Sequence, residues 1–176
     1  MKRWITFILI TILGLGADLY TKFLAVKNLS PFEPFNIIGN YLQFWLVYNK
    51  GAIFGLDPRH LIPGLPLNTI FYILSAIAIV IIIAYFSKLK ASDRLLCLGL
   101  SFILPGALGN LYDRVFFPAR GVVDFIKMGF SSTMYWPIYN LADVYVTVGV
   151  SLILLSMLRD ELARKKSEQV SAQVPQ

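Results

Sequence analysis

The chain has one cysteine, Cys97, and one histidine, His60, among its 176 residues, and that scarcity removes several kinds of chemistry at once. A single thiol excludes an internal disulfide and any metal site built from several cysteines. Cys97 lies in an apolar stretch with no histidine near it, so it reads as a small packing residue and not as a nucleophile. One histidine outside any His-Glu-x-x-His run argues against a histidine-ligated zinc, and there is no Gly-x-Ser-x-Gly elbow or Ser/His pairing for a serine peptidase. A Ser-Lys pair would need Lys22, whose nearest partner is Asp18. Neither a metal nor a cofactor is expected. No glycine-rich phosphate loop is present, and the lack of an internal repeat leaves a transporter of inverted halves unsupported. Charge is also sparse, with Asp, Glu, Lys and Arg at 15% against about one quarter in ordinary soluble domains.

Apolar side chains fill the space. They make up 57% of the chain, mean hydropathy is +0.66, and the expected fold class is a polytopic α-helical membrane protein. Four segments are long enough to cross a hydrocarbon core, which takes about 20 helical residues. They run approximately over 4–26, 67–86, 95–112 and 137–158. Lys2 and Arg3 before a short apolar core resemble a secretory leader, but the polar Asp18-Leu19-Tyr20-Thr21-Lys22 that follows favours a retained first helix. With four spans both termini share one side, and Lys2, Arg3, Lys88, Lys90, Arg94, Arg159, Arg164, Lys165 and Lys166 all fall there. The positive-inside rule makes that side cytoplasmic, so the basic balance reports topology and contact with membrane lipid, not nucleic acid. Residues 1–158 are expected to form a single membrane-embedded domain and 159–176 a polar cytoplasmic tail.

Between the first two spans the pattern changes. Phe35-Asn36-Ile37-Ile38 and Tyr41 to Tyr48 are rich in β-branched and aromatic residues and flank Gly39-Asn40, a two-residue hairpin signal. A small β-sheet is expected on the outer membrane surface, within an external region of about 31–60, with Pro58, Pro63 and Pro66 breaking the chain before the second span. Residues 113–136 are read as an external loop.

Two acids stand out against this background. Asp143 lies inside the run that is apolar from Pro137 to Leu158, and Asp124 precedes it by nineteen positions. A carboxylate within a span is costly and by default functional. At 1.5 Å per residue from each cytoplasmic edge, Asp18, Asn110 and Asp143 all lie roughly 21 to 23 Å across the core, so three helices bring polar groups to one level below the outer surface. Asn140 shares a helix face with Asp143, and Arg114 lies one turn beyond Asn110. Plainer readings stand beside this one: Asp18 and Lys22 as a helix-stabilising pair, Asn110 and Asn140 as interhelical hydrogen bonds, Asp113 and Arg114 as boundary charges. Two carboxyls sharing one proton supply the base and the acid that amide hydrolysis needs. The sequence therefore reads as a peptidase with two catalytic aspartates. The alternatives are a proton-coupled small membrane transporter, which would place its acids nearer midplane, and a non-catalytic lipid-binding assembly protein, which leaves the aspartate pair unexplained.

Five blocks sharpen this reading: Asp18-x-x-Thr21-Lys22, Asn49-x-Gly51-x-x-Phe54, Gly109-Asn110-x-x-Asp113-Arg114, Gly121-x-Val123-Asp124-Phe125 and Asn140-x-Ala142-Asp143. In order and spacing they resemble lipoprotein signal peptidase, also called signal peptidase II. The resemblance implies an aspartic endopeptidase of the bacterial cytoplasmic (inner) membrane that removes the signal peptide of prolipoproteins before the diacylglyceryl-modified cysteine. It also implies a β-cradle and a short external helix over the site. The chain is expected to act as a monomer. By the same resemblance Asp124 and Asp143 are catalytic, and Asp18, Lys22, Asn49, Gly51, Asn110, Asp113, Arg114, Asn140 and Ala142 bind substrate or support the site. Pro105, Tyr112 and Tyr139 depart from the usual pattern without removing a chemical group.

Overall fold

The structure, a computed structural model, describes residues 2–51, 62, 64–131 and 134–172. Its elements in chain order are α1 (Lys2–Asn28), β1 (Phe35–Ile38), β2 (Leu42–Asn49), α2 (Leu67–Lys88), α3 (Arg94–Phe116), β3 (Val122–Met128) and α4 (Leu141–Ala172). All four helices are long and apolar enough to cross a membrane. The external helix expected after Gly51, with Phe54, Pro58, His60 and Pro63, lies outside the described residues.

The outward faces of α1, α2 and α4 expose Ile12, Leu13, Val80, Ile81, Leu154 and Leu155, as suits helices whose solvent is hydrocarbon. Helix α3 is the most enclosed, because the other three pack on it. It meets α4 through glycine: a Cβ at Gly149 would strike Ile103 and the Gly99 carbonyl, and one at Gly106 would strike the Ala142 carbonyl. Such small residues let helix backbones approach within a bilayer, where the hydrophobic effect does not drive association. Pro105 lies against Gly14 of α1, where a side chain would meet its ring at 3.0 Å.

Two apolar clusters bracket the polar middle of the bundle. Near the start of α1, Phe7 stacks on Phe86 at 3.9 Å between ring centroids and Trp4 meets Phe86 edge-on at 4.8 Å, with Leu100 and Leu104 of α3 completing the group. At the other end Ala25 packs under Leu46, Val123 and Phe125 of the sheet.

The sheet is antiparallel in the order β1-β2-β3. Gly39, at φ +49°, occupies the turn joining β1 to β2, which Tyr41 N–H closes on Ile38 O at 2.9 Å. Strand β3 corrects the reading of 113–136 as loop: Val47 faces Asp124 and Asn49 faces Val122 across the β2–β3 pair. The fourth helix also begins later than the expected Pro137. Tyr139 instead pairs with Ile126 of β3, and Asn140 then starts α4, its Oδ1 accepting Asp143 N–H at 3.1 Å while Asp143 Oδ2 accepts Asn140 N–H at 3.0 Å. That reciprocal exchange is a capping box.

Candidate active site

Asp124 is delivered by the sheet and Asp143 by the first turn of α4, so the two carboxyls reach one site from different kinds of element. Each of their four oxygens accepts a hydrogen bond from an uncharged amide. Asp124 Oδ1 accepts from Asn140 Nδ2 at 2.7 Å and Oδ2 from Asn49 Nδ2 at 3.0 Å. Asp143 Oδ1 accepts from Asn110 Nδ2 at 2.9 Å, and Oδ2 from the Asn140 backbone.

The asparagines are themselves held, which gives their amides one orientation. Asn49 lies diagonal to Asp124 on the β2–β3 pair, within side-chain reach, and its Oδ1 accepts Gly51 N–H at 2.9 Å. Gly51 has φ +115°, a conformation that favours glycine. Gly121, at φ +82°, leaves room for the Asn49 carbonyl, which a Cβ there would strike. Asn110 Oδ1 accepts from Lys22 Nζ and from Asn140 Nδ2, both at 3.0 Å, so its NH₂ is turned to Asp143.

Behind the pair lies a buried ionic group. Lys22 Nζ is 2.9 Å from Asp18 Oδ2 and 3.1 Å from Asp113 Oδ2, and Asp113 Oδ1 takes Arg120 Nη2 at 3.1 Å. Asp18 Oδ1 accepts Ala142 N–H at 2.9 Å, and Asp113 Oδ2 accepts Val123 N–H at 3.2 Å. The Asp18–Lys22 pair expected on α1 therefore forms, but it extends to α3 and to the backbone of β3 and α4. Gly109 permits this, since a Cβ there would collide with Asp18. Arg120 was not singled out from the sequence. It belongs to no block, and only the turn from α3 into β3 brings it back to Asp113.

Arg114 donates Nη1 to the Asn110 carbonyl at 3.0 Å, and its guanidinium lies over Phe71 of α2 at 5.4 Å. It faces a cleft of about 940 Å³ that also contains Asn49, Asn110, Asp124 and Asp143. The apolar walls come from Leu74 and Ala78 of α2, Ile103 and Ala107 of α3 and Val146 of α4. A second groove of about 720 Å³, with Tyr41, Phe130 and Val148 in its wall, shares Tyr135, Trp136, Tyr139, Asp143 and Thr147 with the first. The two openings thus meet at Asp143.

Burial raises the Asp124 carboxyl to about 7, the nearby Asp143 charge adds to the rise, and the bonds from Asn49 and Asn140 oppose it. A carboxyl there exchanges its proton close to neutrality, as acid–base chemistry requires. Among the described residues no cluster of His, Cys, Asp or Glu has the makings of a metal site.

Residues 10–159 match the family described as signal peptidase (SPase) II. The chain is 38% identical over 154 residues to a lipoprotein signal peptidase of Clostridium novyi, covering 87% of this chain and 97% of that protein. It is 34% identical to one of Ectopseudomonas mendocina (92% and 93% covered) and 36% identical to one of Halalkalibacterium halodurans (86% and 90%). It is also similar to a bacterial membrane enzyme solved by the in meso method at 2.3 Å, with TM-score 0.74, 30% identity and 89% of each chain covered.

Proposed function

The chain belongs to the signal peptidase II family, and from that premise we propose that Asp124 and Asp143 are its catalytic pair, acting on a peptide bond held in the cleft between α2 and α4. The protein is an aspartic peptidase of the bacterial inner membrane that removes the signal peptide from prolipoproteins. The observation that carries the assignment is the shared setting of the two carboxyls. Their oxygens are held by amides of Asn49, Asn110 and Asn140, and both face one cleft.

One carboxylate takes a proton from a water whose oxygen adds to the substrate carbonyl carbon, while the other, protonated, donates to the carbonyl oxygen. The tetrahedral intermediate then collapses as a proton passes to the leaving nitrogen. Arg114, at the cleft wall, supplies a fixed positive charge for the substrate carbonyl or the developing oxyanion. Asn49, Asn110 and Asn140 hold the carboxyls, and Asp18, Lys22, Gly51, Asp113 and Ala142 hold the elements that carry them. The reaction needs neither metal nor cofactor.

The substrate reading follows from the two openings. Cleavage before a diacylglyceryl cysteine leaves an apolar signal segment on one side of the scissile bond and acyl chains on the other, and two apolar grooves meet at Asp143. Each buried CH₂ contributes about 0.8 kcal/mol, so the acyl chains are a large part of recognition. The termini lie on the cytoplasmic side and the site toward the outer face. Residues 1–158 act as one domain and 159–176 as a tail, in a monomer surrounded by lipid that does not bind nucleic acid.

The test is cleavage of a diacylglyceryl-modified prolipoprotein by the purified protein. Asp124→Asn and Asp143→Asn should each bring turnover to near background, with the double variant scarcely worse, as for groups acting as a unit. Unlipidated precursor should be processed far more slowly. Substantial turnover by a folded Asp143→Asn protein would overturn the assignment.

A further inference from the structure

Lys22 is almost fully buried; its ammonium donates a hydrogen bond to Asn110 Oδ1 and is ion-paired with Asp18 Oδ2 and Asp113 Oδ2. Where those acceptors lead is the unexpected part. Asp18 holds the backbone N–H of Ala142, the residue before Asp143, at 2.9 Å. Asp113 holds the backbone N–H of Val123, the residue before Asp124, at 3.2 Å. Asn110, the third acceptor, donates directly to Asp143 Oδ1. One cation on α1 is therefore two bonds from the backbone beside each aspartate, although β3 and α4 belong to different layers.

We propose that Lys22 is a positioning residue of the peptidase, its ammonium joining the two carboxylates that anchor the backbone beside Asp124 and beside Asp143 and so setting the separation of the pair. The proposal rests on the assignment of those two aspartates as catalytic. The ordinary role of an i, i+4 pair on a helix surface does not account for the arrangement, since the pair is buried, contacts α3 and α4 directly and reaches β3 through Asp113. The network is compensated at its far end, where Arg120 takes the second oxygen of Asp113. The consequence is kinetic. A displacement of about 1 Å in a reacting group lowers the rate about 100-fold, so loosening the link should reduce kcat and leave substrate affinity unchanged.

Removing Lys22 alone leaves buried Asp18 without a cation while Asp113 keeps Arg120, so folding and positioning have to be separated. The experiment compares Lys22→Met with the charge-balanced double variant Lys22→Met/Asp18→Asn, in which the amide at 18 still accepts from Ala142 and Asp113 stays paired with Arg120 and bonded to Val123. Thermal unfolding, kcat and KM for diacylglyceryl-modified prolipoprotein are measured for each, beside Asp124→Asn and Asp143→Asn. The expected result is a double variant that unfolds near the parent temperature, with KM within about threefold and kcat about 100-fold lower. Parental kcat in either folded variant overturns the proposal, as does a raised KM at unchanged kcat, which would place Lys22 on the substrate. Failure of both to fold would assign Lys22 to stability alone and overturn it too. If the two Asp→Asn proteins remain active, the dyad reading fails and the proposal with it; if they are inactive and the Lys22 variants are not, the proposal alone fails.

Discussion

Asn140 gives Asp124 its shortest hydrogen bond, Nδ2 to Oδ1 at 2.7 Å, while its backbone N–H holds Asp143 Oδ2 at 3.0 Å. One residue thus touches both carboxyls and starts the helix that carries the second. Its two duties can be separated by substitution. Asn140→Ser keeps an oxygen that caps α4 but is too short to donate to Asp124, whereas Asn140→Ala loses both functions. The Ala variant should be less stable than the Ser variant by about 1 kcal/mol, the usual worth of an N-cap. The Ser variant, which keeps the cap, should unfold at a higher temperature than the Ala variant, and both should show kcat about 100-fold lower. Full activity in Asn140→Ser would remove the side chain from the mechanism.

Asp124 also makes stability depend on pH. Its carboxyl lies at about 7 in the folded protein and about 3.9 when unfolded, so between those values the native state holds a proton that the unfolded chain has released. Stability contributed by this group therefore falls as pH rises through that window and levels off above about 7. Asp124→Asn, which has nothing to ionise, should gain melting temperature over the parent as pH rises from 4 to 7, and hold that gain at pH 8. Melting curves at pH 4, 6 and 8 check this, and a gain independent of pH would contradict it.

Because carboxylates and water suffice for the proposed chemistry, cleavage should persist in a strong chelator. Loss of activity on chelation, with recovery on adding zinc, would rule out the two-aspartate mechanism.

The basic flanks place the helix ends. A reporter fused after Lys90 or after Lys166 should be cytoplasmic, and one inserted near Pro58 should be external. Cytoplasmic labelling near Pro58 would invert the orientation and put the site on the wrong side.

The sequence by itself determined the four helices and the level at which their polar residues meet. Asp18, Asn110 and Asp143 could be set side by side because the rise along a helix is local and constant, and the structure joins Asn110 to Asp143 at 2.9 Å and Asp18 to the backbone beside Asp143. The hairpin at Gly39-Asn40 was legible for a similar reason, since turn chemistry is local, although the loop takes three residues, Gly39 to Tyr41, with Ile38 paired to Leu42, and not the two expected. Only the tertiary structure decided where Asp124 goes. Val122 to Met128 is a short apolar run whose partner, β2, lies more than seventy positions earlier, and nothing local specifies that Val47 faces Asp124. Strand register is set by what both faces bury at once. The same limit hid Arg120 and the second partner of Lys22. An i, i+4 spacing announces Asp18, while Asp113 is reached only after α3 has packed against α1 closely enough to require glycine at 109.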